Sequence, residues 1–268
     1  MVEELSIPGV KGNIPARFYR PILATNQDKL PVLIYFHGGG WTIGDIDTHD
    51  PVCRLLADSG KFSVLNVGYR LAPENKFPAA VEDAWSAYNW VVDGQGDYLG
   101  IDTGAISVGG DSAGGNLAAV LAINSVQKHT IPIRGQILIY PCVDLTLTMR
   151  SMDIYLDGMT LTYDTMQYFI NHYLNDKSEA LNWEASPLFT RNLTNLPEAY
   201  IFAAGLDPLL DEGFAYKKRL EYFGNKVTYK LYPGQIHGFL SNSKHFPKAI
   251  DCIKDIGVAA KLMVNKNE

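Results

Sequence analysis

The sequence predicts an α/β fold, a mostly parallel eight-stranded sheet with helices on both faces. Three observations predict it. Eight short apolar runs alternate with longer helical patterns along the 268 residues. One strand-to-helix turn, Gly110-Asp111-Ser112-Ala113-Gly114, carries glycine two residues either side of a serine. The other chemically able side chains, in His37-Gly38-Gly39-Gly40, Asp207 and His237, each fall just past a predicted strand. Open parallel sheets place their ligands at that edge.

Residues 2–7 and 14–20 read as strands around a turn from Pro8 to Asn13, an antiparallel edge hairpin. Pro31 to Phe36 is apolar nearly throughout, as a strand buried on both faces should be. Residues 48–60 then read as a helix, 63–67 as a strand, and Pro78 opens a helix of about 15 residues. Ala105 to Val108 is the strand before the serine turn, and Asn116 to Ile123 is a good helix former behind it. Gln136 to Tyr140 is the next strand, closed by Pro141. From Asp144 to Pro187 the rhythm lapses into a stretch with Met149, Met152, Met159 and Met166 and one clear helix, Tyr163 to Asn175. It resumes with strand 199–203, helix 211–223, strand 227–232 and a last helix over 243–264. With no repeats or linkers, residues 1–268 read as a single domain, and 144–187 as a cap inserted over the ligand edge.

Composition narrows the function classes. A net charge of −6 argues against a nucleic-acid partner. Cys53, Cys142 and Cys252 show no C-x-x-C spacing, so neither a disulfide framework nor a metal site is expected. The N-terminus has no basic segment followed by an apolar one, and no apolar run approaches the length of a membrane span. A cytoplasmic protein with no membrane partner is the expectation.

The serine turn has the G-x-S-x-G spacing of a nucleophile elbow. By chance the bare pattern turns up in roughly one chain of this length in ten. A strand before it and a helix after it make the chance reading much weaker. A serine hydroxyl is a poor nucleophile at neutral pH and needs a base and a group to orient that base. His237 follows the last predicted strand, whereas His49, His129, His172 and His245 lie in helices or polar connections with nothing to single them out. The order Ser112, Asp207, His237 is that of the α/β-hydrolase fold. Asp207 competes with an ordinary helix-capping role, for which Asp211 stands closer to the helical pattern, and Glu212 is the fallback orienting acid. The three glycines after His37 suit bare backbone N–H groups aimed at developing negative charge. Gly39 and Gly40 with Ala113 would be those donors, each worth on the order of 3 kcal/mol of barrier, and His37 would brace the loop.

Together, His37-Gly38-Gly39-Gly40-Trp41, Tyr69 to Glu74, Gly110 to Gly115, Asp207 to Glu212 and Ile236 to Phe239 resemble the hormone-sensitive-lipase-like family of α/β-hydrolases. The resemblance covers roughly residues 14–260, with its five motifs in order. It implies an α/β-hydrolase fold with Ser112 as nucleophile, His237 as general base and Asp207 as its partner. It likewise implies Gly39, Gly40 and Ala113 as the oxyanion hole. It implies a carboxylesterase acting mostly on short acyl chains, and since no basic cluster faces the site, a small neutral ester hydrolysed without cofactor or metal is the expectation. Typical bacterial members carry an N-terminal helical segment that forms half of the cap. Here the first strand begins almost at once, so the cap is expected to rest on 144–187 and leave a more open acyl site.

Apolar residues expected along the pocket are Trp41, Tyr140, Met149, Met152, Met159, Leu209, Phe239 and Leu240. Two other classes stay open. One is a non-catalytic ligand-binding relative, as the plant gibberellin receptors are, although those lack the histidine present here as His237. The other is an amidase, peptidase or acyltransferase using the same three residues. A homodimer is compatible with the resemblance.

Overall fold

The structure, a computed structural model, describes residues 1–25, 28–128, 130–154 and 160–264. His129 and Met159 lie outside the described residues. Strands β1 (Val2–Gly9) and β2 (Gly12–Tyr19) form the edge hairpin, and alternate exposure along both follows from one solvated face. The turn between them is shorter than the sequence suggests. Gly9 pairs with Gly12 across only Val10 and Lys11, and Gly12 takes the positive φ of 123° that closes so tight a turn. β3 (Leu30–Phe36), β4 (Ser63–Val67), β5 (Ile101–Asp111), β6 (Gly135–Ile139) and β7 (Glu198–Leu206) are buried along most of their length. β8 (Val227–Ile236) is the exposed far edge.

The sheet order is β1-β2-β4-β3-β5-β6-β7-β8, antiparallel through β1, β2 and β4 and parallel from there on. This is the α/β-hydrolase fold. From β3 the chain steps outward to β4 and then returns to the other side of β3 as β5. The loops leaving β3 and β5 therefore flank a point where strand order reverses, which is where a crevice opens in such sheets.

Helices α2 (Ala79–Val92), α3 (Ala113–Gln127) and α6 (Leu210–Tyr222) cover one face, and α1 (Asp50–Gly60) and α7 (Lys248–Val264) the other. α3 is apolar around most of its circumference and almost wholly buried, as a helix pressed between sheet and neighbours must be. α7 starts five residues later than its pattern suggests. Asn242 accepts the N–H groups of His245 and Phe246 in a separate turn, and Pro247 then begins the helix afresh.

The irregular stretch contains α4 (Arg150–Ile154) and α5 (Tyr163–Tyr173). α5 ends two residues before the expected Asn175, whose side chain bonds the Phe77 carbonyl at 2.7 Å instead. α4 is fastened to the sheet edge by Ser151, which donates its N–H to Asp211 (2.8 Å) and its hydroxyl to the Pro208 carbonyl (2.6 Å). All three cysteines are buried and unpaired. Among the described residues no helix is long and apolar enough to cross a membrane.

Candidate active site

Ser112 sits at the junction of β5 and α3 with φ 58° and ψ −119°, a strained conformation for a residue with a side chain. The surrounding chain over-determines it. Its N–H donates to Ile139, and its carbonyl accepts from Asn116 and Cys142. The glycines two residues away are demanded by packing. A Cβ on Gly110 would lie 2.4 Å from the Phe36 carbonyl oxygen, and one on Gly114 only 1.9 Å from it. Backbone cannot yield as a side chain does. Gly114→Ala is therefore expected to destabilise the fold by about 3 kcal/mol, read as a lowered midpoint in chemical denaturation. A midpoint equal to wild type would show that β3 can retreat.

His237 follows β8, with Gly238 turning the chain at φ 78°. Its Nε2 lies 2.8 Å from Ser112 Oγ and its Nδ1 2.8 Å from Asp207 Oδ2. A carboxylate only accepts, so Nδ1–H donates to Asp207, and Nε2 is left to accept the serine proton. Asp207 is fully buried, and its other oxygen accepts the Leu209 N–H at 2.8 Å. Asp207 thus takes the orienting role, while its other oxygen closes the turn before the next helix rather than capping it. Asp211 does not cap α6 either. α6 begins at Leu210 without a side-chain cap, and Asp211 holds Ser151. Glu212, the fallback acid, is committed elsewhere. Its Oε1 accepts the N–H groups of Val143 (2.7 Å) and Asp144 (3.2 Å), and burial pushes its carboxyl well above the usual range.

The loop after β3 crosses in front of this chain. Gly39, Gly40 and Trp41 take successive positive φ values of 123°, 57° and 58°. A Cβ on Gly39 would lie 2.0 Å from the Ile43 carbonyl oxygen, so only glycine fits. Among the described residues none accepts a hydrogen bond from the N–H of Gly39 or Gly40. Ala113 is the first residue of α3, where helical N–H groups have no partner within the helix. His37 is buried and stacked on Tyr69 at 4.4 Å, and the Tyr69 hydroxyl donates to the His37 carbonyl. That packing braces the loop from behind.

These elements enclose a cavity of about 450 Å³ with Ser112 and His237 in its wall. Trp41 lines it as expected. Tyr140, Leu209 and Phe239 do not, nor do Met149, Met152 and Leu240. Tyr140 and Phe239 turn into the core between the sheet and α1/α7, where Tyr140 packs 4.7 Å from the His237 ring and Phe239 lies behind it. Leu209 is swallowed by the opposite core. Chain position put these residues near the serine, but their side chains leave on the wrong side of the backbone. The apolar wall comes instead from Leu161, Met166 and Phe169. Phe169 rests on Gly40, where a Cβ would meet its ring at 2.2 Å, and Tyr173 stacks flat on Trp41 at 4.4 Å. Met166, Phe169, Ile170 and Tyr173 share one face of α5, a spacing readable in the sequence. What that face meets is not.

His49 and Asp111 also reach this wall, 62 residues apart in sequence and in contact through the His49 imidazole. Among the described residues no three His, Cys, Asp or Glu side chains gather so as to hold a metal ion.

A family model described as alpha/beta hydrolase fold matches residues 33–241. The chain belongs to the hormone-sensitive-lipase-like family of α/β-hydrolases. This α/β-hydrolase is 43% identical over 245 residues to the carboxylic ester hydrolase LipN of Mycobacterium tuberculosis, covering 90% of this chain and 64% of LipN. It is 36% identical over 241 residues to an ethyl acetate hydrolase of Pseudomonas putida, covering 89% of this chain and 76% of that protein. Among solved structures, a hyperthermophilic esterase from the archaeon Pyrobaculum calidifontis superposes with a TM-score of 0.94. That match has 43% identity and covers 98% of this chain and 86% of the other.

Proposed function

We propose that this α/β-hydrolase is a serine carboxylesterase that cleaves small, neutral, short-acyl esters through an acyl-enzyme. The observation that carries the reading is the unbroken chain from Ser112 Oγ through His237 to Asp207, 2.8 Å at each link, at the wall of a largely apolar cavity. Ser112 Oγ attacks the ester carbonyl carbon while His237 Nε2 takes its proton. The carbonyl oxygen becomes an oxyanion facing the N–H groups of Gly39, Gly40 and Ala113. Collapse expels the alcohol, protonated by His237, and water activated by the same imidazole releases the acid. Asp207 keeps the ring in its working tautomer throughout.

The printed activities of the relatives, carboxylic ester hydrolase and ethyl acetate hydrolase, support the ester class. His237 in hydrogen-bond contact with Ser112 favours an enzyme over a ligand-binding relative. Residues 144–187 act as the cap, since Leu161, Met166 and Phe169 supply the cavity's apolar wall. Three buried, unpaired thiols suit a reducing compartment such as the cytoplasm. The test is an acyl-chain profile with acetyl to decanoyl p-nitrophenyl esters, alongside covalent labelling by a fluorophosphonate. Turnover falling off with chain length and label on Ser112 support the reading. An enzyme that cleaves the matching anilides faster than the esters would be an amidase instead.

Phe169 closes the cavity against Gly40, so Phe169→Ala removes a ring from the acyl wall. The preferred acyl chain should lengthen by two or so carbons, and kcat/KM for acetate esters should fall about tenfold through KM. An unchanged chain profile would place the acyl group elsewhere in the cavity.

A further inference from the structure

Asp111, the residue before Ser112, has its carboxylate enclosed in protein, with only 3% of the residue exposed. Its Oδ1 accepts the Tyr35 hydroxyl at 2.7 Å and the backbone N–H of Gly38 at 3.1 Å. Gly38 opens the oxyanion loop, and a Cβ there would lie 2.5 Å from Asp111 Oδ2. The carboxylate thus anchors the loop that presents Gly39 and Gly40. It also borders the same cavity as Ser112. An unpaired negative charge in that position would oppose the oxyanion that the loop is built to accept.

The His49 imidazole stands against this carboxylate, with Nε2 at 3.2 Å from Oδ1 and 3.4 Å from Oδ2. The groups around it come from several elements. Tyr35 faces it from β3 and His37 from the loop after β3, with ring centroids 5.6 Å apart for the two histidines. Thr48 lies 3.0 Å from Nδ1, Asp45 bonds Thr48 from the same loop, and Ser241 comes within 3.4 Å of Nε2 from the turn after β8. Cys53 and Tyr140 complete the shell around Asp111, and burial keeps both, like Tyr35, protonated. His37 stays neutral, because burial pushes its imidazole down to about 4. Burial works against a proton on His49 too, but the Asp111 charge overrides it and holds the imidazole above its ordinary value. Burial likewise works against the Asp111 charge, and His49 holds that carboxyl below its ordinary value.

We propose that His49 is a positioning residue: as an imidazolium paired with Asp111, it lets that carboxylate anchor Gly38 without opposing the charge that forms at Gly39, Gly40 and Ala113. The inference rests on the esterase reading. Nothing in the sequence around His49 points to it, because its partner is 62 residues away.

The experiment measures kcat and KM for p-nitrophenyl butyrate on wild type, His49→Gln, Asp111→Asn and the double variant, each normalised to the Ser112 that a fluorophosphonate labels. His49→Gln leaves the carboxylate unbalanced, so kcat should fall about tenfold or more with KM within about twofold. Adding Asp111→Asn removes the stranded charge but keeps an oxygen for Gly38 and Tyr35, and should bring kcat back to within about threefold of wild type. A pair that is merely structural would leave the double variant as damaged as the worse single one. Wild-type kcat in His49→Gln, or no recovery in the double variant, overturns the proposal. A second readout does not depend on His49→Gln folding. A histidine held above its ordinary value keeps its charge below that pH and loses it above, so wild-type kcat should decline on the alkaline side, and Asp111→Asn should lack that decline. Identical alkaline limbs overturn the proposal. If Ser112 of the wild type takes no label, the esterase reading fails rather than this inference alone.

Discussion

Ser112→Ala is expected to lower kcat for p-nitrophenyl butyrate by at least about 10⁴-fold and to abolish fluorophosphonate labelling. The size follows from covalent catalysis. Without Oγ no acyl-enzyme forms, and His237 loses the proton donor that sits 2.8 Å from its Nε2. What survives is whatever the proposed oxyanion donors and the cavity contribute to attack by water. The fold should be unaffected, because alanine keeps the Cβ and the backbone bonds to Ile139, Asn116 and Cys142 hold the elbow whatever the side chain. The comparison is of kcat on protein with matched melting behaviour. Retention of more than about a hundredth of wild-type turnover would mean that some other group is the nucleophile.

Asp207→Asn should be nearly as damaging, with kcat falling about 10⁴-fold and KM little changed. Asp207 uses one oxygen for the Leu209 N–H and the other for His237 Nδ1, both at 2.8 Å. An amide has one oxygen for those two donors. The Leu209 N–H is backbone and cannot change, so the amide oxygen turns to it and the NH₂ faces Nδ1. The imidazole then carries its proton on Nε2, pointing at Ser112, and can no longer accept the serine proton. The loss should ease toward alkaline pH, where a small fraction of serine can ionise unaided. If Asp207→Asn falls less than about tenfold in kcat, the Leu209 bond is the weaker claim on the oxygen and the orienting role is minor.

The parts of this site that were legible in the sequence are those whose demand is local. Ser112 at φ 58° and Gly39 at φ 123° need glycine in or beside them, and the chain supplies it within five residues each time. Asp207 and His237 were legible for a different reason. Each follows a strand that an apolar run locates, although β7 and β8 continue three and four residues past the ends those runs marked, and parallel strands end on one side of the sheet. Where the reading failed, as with Tyr140, Leu209 and Phe239, the residue stood near the site but its side chain entered the core. Side-chain direction just beyond a strand depends on how the following loop turns. No periodicity records that.

The sequence by itself therefore determined the order of strands and helices, the elbow, the glycine loop and the identity of the two residues that complete the chain to Ser112. Each is written as a backbone constraint or as a position along a regular element. Only the tertiary structure decided what encloses the substrate and what balances the charge. Phe169 meets Gly40 because α5 folds back over the sheet edge, and His49 meets Asp111 because α1 begins beneath the loop that Asp111 anchors. Both contacts join segments far apart in the chain through surfaces that look, residue by residue, like any other helix face.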